Sequence, residues 1–289
     1  MRRQLQSRGA LSEHQIQIPL PPHHPHARLE RFLLCAIGVI LSYTALAYLA
    51  LPALWSHYEH QRRLADLPMV TRTAQGIPGD PINVGLIGDK RDVLCAMQAA
   101  GWLPADPVTA RSSIEIAGSV LLDRPYRQAP VSPLFYLGRP EDFAFEKPFG
   151  ASADRRHHVR FWKVLDHGQE NRPVWLGAAT FDRGVGVSHY TGAITHHIAA
   201  DIDAERSLLA SDLETAQMVD AKYQVTGVGV TLTGRNGGGD PYYTDGEVWI
   251  LRLVTACRKR TAPVDVIPSP PATELKDQIW HAVANALTK

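Results

Sequence analysis

The sequence predicts an α+β fold: a single mixed, largely antiparallel sheet with packed helices, preceded by one N-terminal transmembrane helix. Three observations carry this expectation. Short apolar runs of strand length recur from Ile82 to Val254. Amphipathic stretches of helical period interrupt them without strict alternation, as in an α+β chain rather than a regular βαβ series. Finally, Phe32 to Leu54 runs for 23 residues without a charge.

Composition narrows the class. With 289 residues, 45% hydrophobic, 20% charged, 22 Gly, 21 Pro and 3 Cys, the chain is neither disordered, nor collagen-like, nor a cysteine-stapled miniprotein. Thirty basic against 29 acidic residues give a net charge of +1, so no nucleic-acid partner is expected. Cys35, Cys95 and Cys257 show neither CxxC pairing nor zinc-ligand spacing. Cys35 lies in the apolar run, so at most one disulfide, Cys95–Cys257, is available.

Residues 1–31 read as a disordered tail, because the Pro/His-rich stretch from Pro19 to His26 has no apolar periodicity from which to build a core. The segment 32–54 follows as the membrane span. A helix of that length reaches about 34 Å, enough for a hydrocarbon core of about 30 Å. Trp55 sits where an interfacial anchor belongs. Ala45-Leu46-Ala47 has the small-x-small form of a signal cleavage site, but the apolar run continues past it. An uncleaved anchor fits better. Arg2, Arg3, Arg8, Arg28 and Arg31 before the span, against Arg62, Arg63 and Arg72 after it, favour a cytoplasmic N-terminus. The expected location is therefore a bacterial inner membrane, crossed once, with the soluble domain extracytoplasmic.

Residues 55–80 read as a juxtamembrane linker ending in the breaker Gly76 to Pro81. One domain, 81–254, comes next. Ile82 to Gly88 is a short strand, and Asp89 caps a helix to Ala100 with Val93, Leu94 and Met97 at helical spacing. A second helix is expected from Arg111 to Leu122. Strands follow at Leu134–Leu137, Phe143–Glu146, His157–Leu165 and Val174–Asp182, the last two separated by a turn-rich stretch. Asp203 to Met218 is an amphipathic helix with Asp203 and Glu205 in its first turn, where the helix dipole favours them. Tyr223–Leu232 and Glu247–Val254 are strands around a Gly-rich loop. In the last segment, 255–289, a Pro-rich linker leads into a helix, Thr273–Leu287, that is expected to dock on the domain or a neighbour.

Three segments hold more polar side chains than folding requires. In Arg155 to Trp162, alternation along a strand sends His157 with Val159 and Phe161 to one face, and His158 with Arg160 and Trp162 to the other. A symmetric hairpin with Val174–Asp182 would set His157 opposite Asp182, the oriented pair that a general base needs. Surface-strand histidines are the plain alternative. The second segment, Thr195 to Arg206, offers His196, His197, Asp201 and Asp203 as mixed nitrogen and oxygen ligands for a possible divalent metal. Plain helix capping accounts equally well for its acidic residues. The third, Thr233 to Gly246, is long for a hairpin connection. Arg235, Asn236, Gly237, Gly238, Asp240, Tyr242 and Tyr243, together with Arg160, are its candidate anion-binding residues. No P-loop, nucleophile elbow, HExxH, EF-hand or GxGxxG is present.

These segments, with Pro130 to Phe135 and Gly138 to Lys147, resemble the LssY C-terminal-like domain family of bacterial membrane proteins. The resemblance covers about Pro81 to Val254 in order. It implies an appendage to membrane proteins, some beside phosphatidic-acid-phosphatase-like or DedA-like modules, and no settled activity to carry over by residue. The expected function is a single-pass, membrane-anchored domain that recognises a membrane-protein partner or an anionic ligand. The alternative is a hydrolase-like enzyme acting on a phosphate-bearing or other anionic substrate, with His157, Asp182, His196 and His197 as its catalytic groups and a divalent metal assisting.

Overall fold

The computed structural model describes residues 25–50, 62–64, 66–105, 133–150, 155–168, 170–225, 229–230, 232–269 and 271–287. The expected helix at 111–122 and most of the tail lie outside the described residues. The chain divides into two units, Met1–Leu54 and Trp55–Lys289.

The first unit contains helix α1, Pro25–Ala45, which continues into a π-helical turn at Leu46–Ala50. Leu29–Ala50, 22 residues with none buried, is long and apolar enough to cross a membrane. Phe32, Leu34, Ile40 and Leu49 are exposed on it, and the Thr44 hydroxyl donates to the Ile40 carbonyl four residues back.

The second unit is α+β. Its strands are β1 Val70–Arg72, β2 Pro78–Pro81, β3 Val84–Ile87, β4 Leu103–Pro104, β5 Phe135–Tyr136, β6 Arg139–Pro140, β7 Phe143–Pro148 and β8 Arg156–Leu165, then β9 Val174–Val187, β10 Ile194–Ile198, β11 Val219–Val225, β12 Thr233–Arg235, β13 Pro241–Tyr243, β14 Val248–Leu253 and β15 Asp265–Val266. Its helices are α2 Lys90–Ala99, α3 Ile202–Thr215 and α4 Pro271–Leu287. The strands form three sheets, where the sequence suggested one. The main sheet has nine strands in the order β15-β11-β14-β3-β9-β8-β7-β4, with β10 also on β9. It is mixed and largely antiparallel, since only β11–β15 and β14–β3 run parallel. A four-stranded sheet runs β2-β1-β5-β6, and β12 pairs with β13.

The reason for the extra layer is apolar on both faces of the main sheet. On one face Leu86, Val159, Phe161, Trp175 and Leu251 pack with Val93 and Met97 of α2 and Leu209 and Leu213 of α3. Helices α2 and α3 cover that face. The opposite face, with Trp162, Leu176, Ala178, Val248 and Ile250, buries instead against Leu64, Ile82, Leu134 and Tyr136. Burying one such side chain stabilises the fold by about 1.5–3 kcal/mol, so a second layer is needed, and the stretch read as a linker supplies part of it.

Caps and staples fix the helices. Asp92 accepts from the Asp89 N–H at the start of α2, and Asp201 accepts from Ala204 N at the start of α3. Cys95 of α2 is joined to Cys257, a bridge spanning 162 residues of chain. On α4 the Leu275, Ile279 and Val283 side chains are exposed, so its apolar face does not dock on the described part of the domain as expected.

Candidate functional site

Strand β8 sets the geometry, because each successive side chain changes face. His157 points to the helical side, where Nδ1 lies 2.9 Å from Glu205 of α3. His158 and Arg160 point to the other side. The hairpin closes in the expected register, with Leu165 opposite Val174, but an irregularity between Lys163 and Leu165 slips every later pair by one. His157 therefore faces Phe181, and Arg156 faces Asp182. The expected His157–Asp182 pair does not form, because one bulged residue is enough to change every partner.

Asp182 instead joins a buried network on the far face. Arg156 Nε donates to Asp182 Oδ2 at 3.1 Å, and its Nη1 donates to Glu146 at 2.9 Å. His158 Nδ1 lies 3.2 Å from Asp182 Oδ1, within ion-pair distance. His158 Nε2 sits 2.9 Å from Thr180 Oγ1 and from Arg160 Nη1, and Arg160 Nη1 donates to Asp80 Oδ2 at 3.1 Å. Asp80, Arg156, His158, Arg160 and Asp182 line a cavity of about 340 Å³ with Thr73, Ser188, His196 and Asn236–Gly238. Its walls come from the connection between β1 and β2, from β8 to β10, and from the turn between β12 and β13.

The electrostatics separate the two cavity imidazoles. Burial, the largest single effect, and Arg160 lower the His158 pKa, but Asp182 and Asp80 together overcome them and raise it above the ordinary value. Burial pushes Asp182 up, yet the His158 charge and Arg156 hold it below the usual carboxylate range. For His196, burial dominates and Arg156 adds to it against Asp182, so its pKa falls and the ring is neutral near pH 7. Its Nε2 is buried without a hydrogen-bond partner among the described residues.

The sequence-derived residues divide accordingly. Asp182, His196, Arg160, Asn236, Gly237 and Gly238 line the cavity. His157 is on the opposite face. His197, one residue beyond His196 on β10, turns away and places Nδ1 2.7 Å from Asp240 Oδ1. Asp240 also accepts from Ile198 N. Arg235 donates to the Gly239 carbonyl at 2.7 Å and so closes its own turn rather than lining the cavity. Tyr242 packs with Ile198, Ile202 and Val230, and Tyr243 is bridged to Asp201.

His196, His197, Asp201 and Asp203 do not converge on one point. Asp201 caps α3, while Asp203 accepts from Thr244 Oγ1 and Asp245 N. Strand alternation separates the two histidines, the cap occupies Asp201 and the Thr244–Asp245 bonds occupy Asp203, which leaves no ion position shared by the four.

The sequence gives no sign of a role for Asp80, Arg156 or Ser188, and it offers His158 only as the alternative to His157. His158 carried a signal: it shares a face with Arg160, an unusual side chain to bury unless paired. Asp80 carried none, because Gly79-Asp80-Pro81 reads as a breaker and only tertiary pairing makes it strand β2.

A family model described as LssY C-terminus matches residues 64–248 of the chain. No curated protein and no solved structure matches it.

Proposed function

The chain belongs to the LssY C-terminus family, and from that premise we propose a single-pass membrane protein whose large domain binds a small anionic ligand in the β8–β10 cavity. The observation that carries this reading is the convergence of Arg156, His158, Arg160 and the neutral His196 imidazole on one cavity. The volume lies at the lower end of small-molecule sites, about 300–1,000 Å³, which favours a small ligand over a protein surface.

We place the start of the domain near Leu64, where the family match begins. The apolar segment Leu29–Ala50 supports an anchor in a bacterial inner membrane. The Cys95–Cys257 bridge supports an oxidising, extracytoplasmic location for the domain, the side the N-terminal arginines also favour.

The test is calorimetric titration of the full chain in detergent with inorganic phosphate and with a short-chain phosphate monoester. One saturable site is expected, weakened at least about ten-fold by His196→Gln, the equivalent of 1.4 kcal/mol. Absence of binding, or equal affinity in the variant, overturns the reading.

Hydrolysis is the second reading, favoured by the pairing of a neutral His196 with the field of Asp182, an arrangement suited to a general base. Turnover of an aryl phosphate ester by the wild type, abolished in His196→Gln, would establish it. Binding without turnover would leave the domain a receptor.

A further inference from the structure

Behind the cavity wall lies a second cluster. His189 stands in the turn after β9, His197 on β10, and Asp240 at the end of the β12–β13 turn. Their nitrogen and oxygen donor atoms all lie within 4.8 Å of one another. None of the three lines the cavity.

Several features pre-arrange this cluster. Asp240 is buried and its Oδ1 lies 2.7 Å from His197 Nδ1, so an ion taking the place of the shared proton meets a nitrogen and an oxygen donor together. The other ring nitrogen, Nε2, rests against Gly186, where a Cβ would come within 2.2 Å of it, which leaves Nδ1 as the ligating atom. The His189 backbone is fixed by its N–H bond to the Gly238 carbonyl at 2.9 Å. Gly239 (φ +91°) lets the two segments meet, because a Cβ there would fall 2.7 Å from His189 Cβ. The two imidazole rings end 5.8 Å apart. The His197–Asp240 hydrogen bond by itself is an ordinary tie. A second imidazole, that of His189, is brought to the same point from another turn, and its ring is exposed.

We infer that His189, His197 and Asp240 form a binding site for a divalent transition metal of the zinc class. Two imidazoles and a carboxylate are a borderline-soft nitrogen and oxygen set, suited to zinc rather than to calcium or magnesium. Modest rotation of the exposed His189 ring brings its donor into the first coordination sphere. The ion clasps the β12–β13 turn to the β9–β10 hairpin, and Asn236–Gly238 of that turn form part of the cavity wall. The site is independent of ligand binding in the cavity and stands whether or not that reading does.

The experiment uses the full chain in detergent with His23→Ala, His24→Ala and His26→Ala, which removes the imidazoles of the Pro/His-rich N-terminal stretch. After chelator treatment and dialysis, zinc alone is titrated with calorimetric readout. One equivalent is expected, with affinity lowered at least ten-fold by His189→Ala and at least a hundred-fold by His197→Ala. His189→Ala alters an exposed ring, so it keeps the fold, which circular dichroism verifies. His196→Gln is expected to leave zinc affinity unchanged, which separates this site from the cavity. No zinc uptake, or uptake unaffected by His189→Ala in the folded variant, overturns the assignment.

Discussion

Asp182 and His158 sit one diagonal apart on neighbouring strands, and their pKa shifts have opposite signs. His158 lies above the ordinary histidine value of about 6.5. Its pairing therefore stabilises the fold fully below about pH 6.5, and that contribution is lost as pH rises through the raised value. Asp182 lies below the ordinary aspartate value of about 3.9. Its contribution is present above about pH 4 and is lost as pH falls through the lowered value. Both act in full between those limits. His196 works the other way, since burial lowers its pKa and protonation below about pH 6.5 opposes folding. Asp182→Asn leaves His158 buried beside Arg160 with only the more distant Asp80 carboxylate, at 3.8 Å, to support its charge. The expected loss is about 3–5 kcal/mol near pH 5.5, the cost of breaking a buried pair, and clearly less near pH 8. Urea denaturation at the two pH values measures it. Equal losses would mean that the carboxylate serves Arg156 and does not charge His158.

At the scale of elements, α3 is the piece that holds both faces of the domain in place. Its Glu205 meets His157 on β8, while Arg206 makes paired bonds to the two oxygens of Asp245 at 2.8 and 2.7 Å. The Arg206 guanidinium also donates to the Glu247 carbonyl and lies 4.9 Å from the Trp249 ring centre. A lysine cannot reproduce a planar fork that bonds two oxygens and stacks on an indole. Arg206→Lys is expected to cost about 2–3 kcal/mol, read as a lower denaturation midpoint without a change in slope. The helix itself was readable, because Asp201 to Glu205 carry a cap and first-turn acids and the apolar spacing is local. So were α2 and most strands of the main sheet. Pairing was not. Nothing near Val164 announces the slip that moves Asp182 from His157 to Arg156, and β1 and β2 look like linker until the second face of the sheet needs covering. The site inherits the same limit: His157 and His158 are equivalent in sequence, and only the layer packed on each face decides which one enters a cavity.

At the scale of the whole molecule, two features bear on the proposal that Leu29–Ala50 anchors the chain with its large domain outside the cytoplasm. The arginine count before the anchor favours a cytoplasmic N-terminus, although the residues after the anchor are also basic. The disulfide is an independent argument. Cys95 and Cys257 lie 162 residues apart, and closing so long a loop restricts the unfolded chain, for a gain of about 2–5 kcal/mol. That gain exists only where the thiols remain oxidised, so the proposal of an extracytoplasmic domain predicts an intact bridge in the cell. Cys35 sits exposed on the apolar helix and takes no part. With the domain outside, protein purified without reductant should yield one alkylatable thiol per chain after denaturation, and three after reduction. Cys95→Ser together with Cys257→Ser should then lower the thermal midpoint of the domain by several degrees. A reporter enzyme that needs oxidising conditions, fused after Lys289, should be active in cells, and a reporter that matures only in the cytoplasm should not. Three free thiols in the unreduced protein, with the opposite reporter pattern, would reverse the orientation and leave the bridge unused in the cell. The arginine balance alone is too even to choose between these outcomes, so the oxidation state of two cysteines decides the topology.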